Sequence, residues 1–416
     1  MHLRTRSSLV LWLALAAVPA LARANDVSEL WTARGEVAYA RGRYTDALNA
    51  FSRAVEADAA DADAQYGLGL ALAKLERWEE AEAAFARAAT LRPGFTEAAQ
   101  ARDLARQHIG RGLETQEATE VAGAAPTVPR KRWEIHATTG FQYDGNVVLA
   151  PRGHARGGVD DRGDEAFILA GGARYDVVDR ENALLRLEYD LYQTLHLDID
   201  DFDFRSHRVR ATGSGAVRPW LWVGAQGGYD HFTLGPHSYL SEPFTMPFVS
   251  YVGGNWGVTQ LSWRHSWDTY LSNPFHEVRD GRTDQLALSQ TFYLGDARAL
   301  TFGYTWGEED PDRRVGNDWE LIFHQGWVDY TFPLWWAVQA DLMYLYRYDD
   351  YTKRNSFVGF RKTRSDNEHH MYASLQRPIT EHLSTSLVYF GTVNPSNIQV
   401  FDYRRNVVAL LLTVSY

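Results

Sequence analysis

Trp133-Glu134-Ile135-His136-Ala137-Thr138-Thr139-Gly140-Phe141-Gln142-Tyr143-Asp144 is the stretch that decides the fold. Trp133, Ile135, Ala137, Thr139, Phe141 and Tyr143 fall on one side of a two-residue period. Glu134, His136, Thr138, Gln142 and Asp144 fall on the other. A period of two is that of a β-strand, whose successive side chains point to opposite faces. The pattern returns further on. Leu185, Leu187, Tyr189 and Leu191 alternate with Arg186, Glu188 and Asp190, and Trp336, Val338, Ala340, Leu342 and Tyr344 stand against Gln339, Asp341 and Arg347. One face suits hydrocarbon and the other a polar lumen.

Alternation alone also fits a soluble sheet, but three further features point to a membrane barrel. The candidate strands run about 11–15 residues, long for a soluble sheet and right for tilted spanning strands. They fall at 133–147, 165–178, 183–197, 204–217, 220–234, 243–253, 256–271, 282–294, 298–308, 318–332, 334–348, 366–377, 381–391 and 402–416. Tight turns near residues 179–182, Arg218-Pro219, Gly254-Asn255, Gly295-Asp296, Pro333 and Arg377-Pro378 alternate with longer polar loops at 148–164, 197–203, 271–281, 308–317, 349–365 and 392–401. The last strand ends with Val408, Leu410, Leu412, Val414 and Tyr416 on one face. That ending resembles the C-terminal signal read by the machinery that inserts outer-membrane barrels. The 14 Trp, 22 Tyr and 19 Phe lie mostly after residue 130, as aromatic girdles require. An even strand number brings both ends of the barrel to the periplasmic side, together with the short turns.

Upstream, the composition changes. Residues 113–132 read as a linker, with Pro126, Pro129 and a basic end at Arg130-Lys131-Arg132. Residues 26–112 are rich in Ala, Glu and Arg and repeat themselves. Trp31, Gly35, Ala47, Phe51 and Ala54 recur as Gln65, Gly69, Ala81, Phe85 and Ala88, a period of about 34 residues. Leu68 and Pro93 complete the second copy. These residues resemble two tetratricopeptide repeats, at 28–61 and 62–95, followed by a capping helix at 95–108. Small residues let paired helices approach, the phenylalanines fill the groove between them, and Pro93 stops a helix. The first copy has Ala38 where an aromatic is usual and Ala59 where proline is usual. The chain opens with Arg4 and Arg6, an apolar run from Leu9 to Val18, and Ala22-Arg23-Ala24, which reads as an export signal spanning 1–24. The fold expected is therefore an all-α repeat domain followed by an antiparallel transmembrane β-barrel of about 14 strands.

The charge of -11 excludes a basic stripe for nucleic acid, and the lack of cysteine excludes disulfides and thiolate metal sites. Neither a G-x-S-x-G elbow nor an H-E-x-x-H helix is present, so no enzyme activity and no cofactor are expected. Ser206 and His207 are adjacent in a strand and so cannot form a dyad. Asp198, Asp200, Asp201 and Asp203, and likewise Asp160, Asp161, Asp164 and Glu165, are acidic loop clusters without the EF-hand pattern. His369-His370 has no third ligand nearby. The candidate site is the lumen wall: Arg186, Glu188, Asp190, Arg208 and Arg210 fall on neighbouring strands and suit a bracing network or a selective constriction.

Two further segments bear on family. Gly140-Phe141-Gln142-Tyr143-Asp144-Gly145-Asn146-Val147 opens the barrel, and Ser396-Asn397 with Phe401-Asp402-Tyr403 precedes its aromatic end. With the export signal, the repeats and the barrel, these resemble the surface lipoprotein assembly modifier family, although the helical domain is shorter than that family's usual one. The resemblance implies delivery of client lipoproteins to the cell surface. Expected partners are outer-membrane lipids and lipopolysaccharide, the barrel-assembly machinery, and a periplasmic protein or peptide at the repeat groove. Two other readings remain open at this point: an exopolysaccharide export porin, and a plugged structural or assembly protein.

Overall fold

The computed structural model describes residues 28, 31–32, 34–36, 38–39, 42–92, 94–110, 132–152, 162–180, 182–253, 257–272, 278–295, 298–312, 318–359, 361–380 and 382–416. The export signal, linker residues 113–131, Pro93 and the expected turn residues Gly254-Asn255 and Asp296 lie outside them. The described residues form two compact units, a helical one and a barrel.

In the helical unit the described residues between 28 and 39 are mostly helical, followed by α1 (Tyr44–Ala57), α2 (Ala62–Lys74), α3 (Trp78–Leu91) and α4 (Thr96–Gly110). Asp61 caps α2, its carboxylate accepting from the backbone N–H groups of Asp63 and Ala64 at 2.9 Å each. The repeat pattern becomes packing. The Phe51 ring lies against Gly35 and Gly67, where a Cβ would come within 2.6 and 2.3 Å of it, and Phe85 lies in the same way on Gly69 at 2.5 Å. Ala47, Ala54, Ala81 and Ala88 are fully buried between helices, and Leu68 is half-buried against both clusters. Trp31 is buried under the guanidinium groups of Arg34 and Arg53, at 5.1 and 4.9 Å. Ala38, the departure from the repeat pattern, is itself buried beside Ala47 and Phe51.

The barrel strands are β1 (Trp133–Asp144), β2 (Asp164–Arg180), β3 (Ala183–His196), β4 (Phe204–Arg218), β5 (Leu221–Leu234), β6 (His237–Val252), β7 (Val258–Tyr270), β8 (Gly281–Gly295), β9 (Arg298–Pro311), β10 (Leu321–Pro333), β11 (Gln339–Arg354), β12 (Thr363–Pro378), β13 (Leu383–Asn394) and β14 (Tyr403–Ser415). Each is antiparallel to its sequence neighbours, and β14 returns to β1 to close the barrel. The closing register runs from His136 opposite Ser415 to Asp144 opposite Val407. Ile135 and Tyr416 exchange backbone hydrogen bonds of 2.9 Å below it. The chain is thus a helical tetratricopeptide-repeat region followed by a closed 14-stranded antiparallel β-barrel.

The outward face carries the apolar series read from β1, β3 and β14. Phe141 is 61% exposed and Leu410 60%, and Val408, Leu412, Val414 and Tyr416 are exposed with them. Aromatics frame this face. Trp133, Tyr175, Trp220, Tyr251 and Tyr416 stand at the short-turn rim, and Tyr143, Tyr229, Trp267 and Trp306 stand toward the loops. Trp133 and Tyr143 are about 33 Å apart along β1 at ~3.3 Å per residue, or about 25 Å along the axis at the usual strand tilt. That is the height of a hydrocarbon belt.

Two strand expectations need correction. The sequence reading places β6 at 243–253. The strand instead begins at His237, joined to β5 by the two-residue turn Gly235-Pro236, so Pro243 and Pro247 lie inside it. The stretch 334–348 is also displaced. Trp335–Ala337 form a 3-10 turn in which Trp336 and Ala337 have φ of 62° and 56°. The strand after it continues to Arg354 and β12 starts at Thr363, so about half of the polar segment expected as a loop at 349–365 lies in strands.

Candidate functional site

Parity places Arg186, Glu188 and Asp190 of β3 inward, with Arg208 and Arg210 of β4. Glu188 is the register partner of Arg210, and Asp190 of Arg208. The hydrogen bonds run diagonally as well as across. Arg210 donates to Asp190 at 3.0 Å, while Arg186 turns to β2 and makes a two-pronged contact with Asp176 at 2.7 and 3.2 Å. Arg208 stands between Asp190 and Asp230 in the register, its guanidinium 5.9 Å from the Phe232 ring. The five expected residues are therefore part of a longer inward row, which continues through Asp230 and Glu242 to Arg264. The later members were not found in the sequence because their strands break the clean alternation with glycine and proline.

The lumen is uneven along its axis. Toward the short turns the inward side chains are partly exposed, among them Glu134, His136, Gln226, Gln260, Asp341 and Thr413. Toward the loops they are buried, and charge is packed against aromatic rings. Arg405 donates to Asp144 at 2.5 Å, with 4% and 0% of the side chains exposed. Arg364 pairs with Asp366 at 2.5 Å and lies 3.5 Å from the Phe401 ring and 4.6 Å from Tyr351. Arg347 holds Asp349 at 2.6 Å and Glu309 at 2.9 Å, over Phe323 at 3.9 Å. Arg279 stacks between Tyr270 and Trp319 at 4.5 and 4.7 Å. Glu368 accepts from Tyr403 at 2.8 Å and contacts His370 at 3.1 Å. Among the described residues these inward side chains pack against one another at the loop-side end of the barrel. The guanidinium groups cover ring faces that would otherwise line a passage.

The acidic loop residues act on backbone. Asp164 accepts from the N–H groups of Asp198 and Ile199 at 3.1 and 2.8 Å, and Asp203 from His196 N–H at 2.6 Å. Among the described residues no group of three or more His, Asp or Glu is arranged to hold a metal ion; Asp160 and Asp161 lie outside them. Ser206 points inward and buried, while His207 points outward to the Tyr189 hydroxyl at 2.9 Å. His369 and His370 likewise diverge, the first to Tyr344 outside at 2.8 Å and the second to Glu368 inside. The segments that carry the family resemblance are loop anchors. Asn146 accepts from Ala150 N–H at 2.8 Å and donates to Arg404 O at 2.7 Å. Asn397 accepts from Ser365 N–H at 3.0 Å and donates to Thr363 O at 2.9 Å, and Asp402 pairs with Arg152.

In the helical unit the candidate surface is the groove of a small repeat array. Burial pushes the Tyr39 hydroxyl up to about 12, aided by Tyr44, whose ring is 5.4 Å away, so Tyr39 is uncharged at neutral pH.

The tetratricopeptide repeat family model matches residues 32–94. No curated protein matches the chain. Among solved structures, the second tetratricopeptide domain of Spaghetti (RPAP3) bound to an HSP90 peptide is similar to the helical unit: 26% identity, over 21% of this chain and 81% of that one, TM-score 0.21. The barrel is similar to a loop-deletion mutant of OmpT, an outer membrane protein of Vibrio cholerae, at 8% identity over 68% of this chain and 99% of that one, TM-score 0.39. It is also similar to a Pseudomonas aeruginosa FadL homologue at 10% identity over 69% and 90%, TM-score 0.39. These likenesses concern fold alone.

Proposed function

We infer that the chain is a gated transporter of the outer membrane that assists delivery of client proteins, lipoproteins in particular, to the cell surface. One observation carries the reading: a repeat module of a kind that binds peptides precedes a barrel whose inward side chains are mostly part-exposed toward the short turns and packed into buried charge networks toward the loops, which we take as a closed exit. A passive diffusion pore has no use for a closed exit or for a partner-binding module. We take the short-turn rim, where β1 begins and β14 ends, as the periplasmic side and assign the repeats to the periplasm. In this reading they collect a client before export. The exposed face of Val408, Leu410, Leu412, Val414 and Tyr416 is the part offered to the insertion machinery, and the two girdles contact lipid and lipopolysaccharide.

A second reading, export of an acidic or neutral polysaccharide, is favoured by the aromatics and acids that crowd the lumen. Against it, the rings of Phe323, Phe401 and Phe244 already have guanidinium groups on their faces. Deleting the gene and shaving intact cells with protease separates the two. Loss of protease-accessible lipoproteins with unchanged secreted polysaccharide supports delivery, the reverse supports the second reading, and no change in either removes both.

A further inference from the structure

The seam between β6 and β7 differs from its neighbours. Its register pairs Leu240 with Tyr270, Ser241 with Thr269, Phe244 with Ser266, Thr245 with His265 and Phe248 with Ser262, then runs on to Val252 with Val258. The steps between, at Glu242-Pro243 and Met246-Pro247, are unpaired, whereas β5 pairs with β6 through both prolines. The cause is covalent: proline has no backbone N–H. Counting along the register puts Pro243 opposite Trp267 and Pro247 opposite Trp263, so those two carbonyls receive no ladder hydrogen from β6. The other prolines within the described strands, Pro311, Pro333 and Pro378, are terminal residues of theirs. A closed barrel normally leaves no unpaired strand backbone, because hydrocarbon offers it no partner.

What holds the seam instead is a side-chain clasp on the lumen side. Arg264 of β7 reaches across to Glu242 of β6 at 2.7 Å and lies 3.9 Å from the Phe244 ring. The lumen face of β6 carries three apolar side chains in succession, Phe244, Met246 and Phe248. Phe244 and Phe248 lie over Gly228 and Gly224 of β5, where a Cβ would come within 2.5 and 2.4 Å of them. On the outside, Trp263 and Trp267 are about half exposed beside the prolines. Weakened backbone pairing, an apolar strip inside and an apolar surface outside coincide at one seam.

We propose that the β6–β7 seam is a lateral portal through which a lipid acyl chain passes between bilayer and lumen, lying along Met246 and Phe248. Arg264 and Glu242 form its latch. The occupant follows from the chemistry on both sides: the route joins hydrocarbon to an apolar strip, and a carbohydrate or polar peptide would gain nothing from either. The inference supplies the substrate chemistry that lipoprotein delivery would need, and rests on that reading only for the direction of traffic.

The absence of cysteine allows a clean lock. Full-length protein in nanodiscs containing a phospholipid with a diazirine at the end of its acyl chain is irradiated, and labelled residues are mapped by mass spectrometry. The expected result is labelling of Met246 and Phe248 inside as well as of Trp263 outside. Phe248→Cys with Ser262→Cys, oxidised, lowers the label at Met246 at least tenfold, and reduction restores it. A matched disulfide at Thr212→Cys with Gln226→Cys across β4 and β5 leaves it unchanged. Pro243→Ala with Pro247→Ala restores two donors and lowers it at least threefold, with slower amide exchange at Trp263 and Trp267. Label confined to outward residues, or equal inside label with the seam locked, overturns the portal. Labelling that behaves as expected while surface lipoproteins are unaffected by gene deletion keeps the portal and removes the delivery reading.

Discussion

At the residue scale, the closed half of the lumen depends on charges withdrawn from water, and the Asp144–Arg405 pair is the clearest case. Both side chains are essentially buried, and the carboxylate also accepts from the Asn146 N–H at 3.0 Å. A buried pair gains little over an apolar pair of the same shape, but removing one partner strands the other, at a cost of about 3–5 kcal/mol. Asp144→Leu alone is therefore expected to lower the urea midpoint of the refolded barrel strongly, read by tryptophan fluorescence in lipid vesicles. Arg405→Met alone should do the same. The double variant Asp144→Leu with Arg405→Met should recover more than half of the loss. If the double variant loses as much as the two single variants together, the pair is not a mutually dependent unit. Asp144 belongs to the stretch from Gly140 to Val147 that carries the family resemblance, which ties that motif to closing the loop-side end.

At the element scale, the helical repeats depend on glycine at close approaches. Gly69 meets the Phe85 ring at a distance no Cβ tolerates, although helix propensity alone favours alanine by about 1 kcal/mol. Overpacking costs about 1–3 kcal/mol, so Gly69→Ala is expected to be net destabilising by about 1 kcal/mol and to lower the melting temperature of the helical circular dichroism signal by a few degrees. A rise would mean that Phe85 yields freely. The same glycine was legible in the sequence because it repeats at the position of Gly35, and the strands with strict alternation, β1, β3 and β14, were legible for a similar reason. Their two faces meet different solvents, so the pattern is enforced at every residue. Legibility failed where one rule overrode another. Proline is normally confined to strand starts and edges, yet the strand runs through Pro243, with Leu240, Glu242, Phe244 and Met246 along its inward face. Trp335 and Trp336 look like strand residues but occupy a turn, where an aromatic at the bilayer edge has its own reason to be. Of the candidate site, β3 and β4 could be read locally. The guanidinium stacks on Phe323, Phe401 and Trp319 could not, since they join loops and strands far apart in sequence.

At the scale of the barrel, closure at one end and an acidic wall at the other make a definite electrical expectation. Toward the short turns the wall holds Asp329 and Asp341, diagonal neighbours two residues out of register on β10 and β11, with no arginine inward beside them among the described residues. Along β7 to β12 Asp268, Glu309, Asp349 and Glu368 add to these, against Arg264, Arg347 and Arg364. Acids outnumber bases, so an open lumen attracts cations. The resting barrel should pass almost no current in planar bilayers, because Arg347 and Arg364 hold the loop-side residues together. Arg347→Ala with Arg364→Ala removes two guanidinium stacks and leaves Asp349 and Asp366 repelling one another. That variant should conduct at least tenfold more often than the parent, and in a potassium chloride gradient its reversal potential should lie toward that of potassium. Steady, large conductance of the parent protein would show that the packed network does not close the lumen. A reversal potential toward chloride in the variant would show that the arginines elsewhere on the wall, not the acids, face the conducting path.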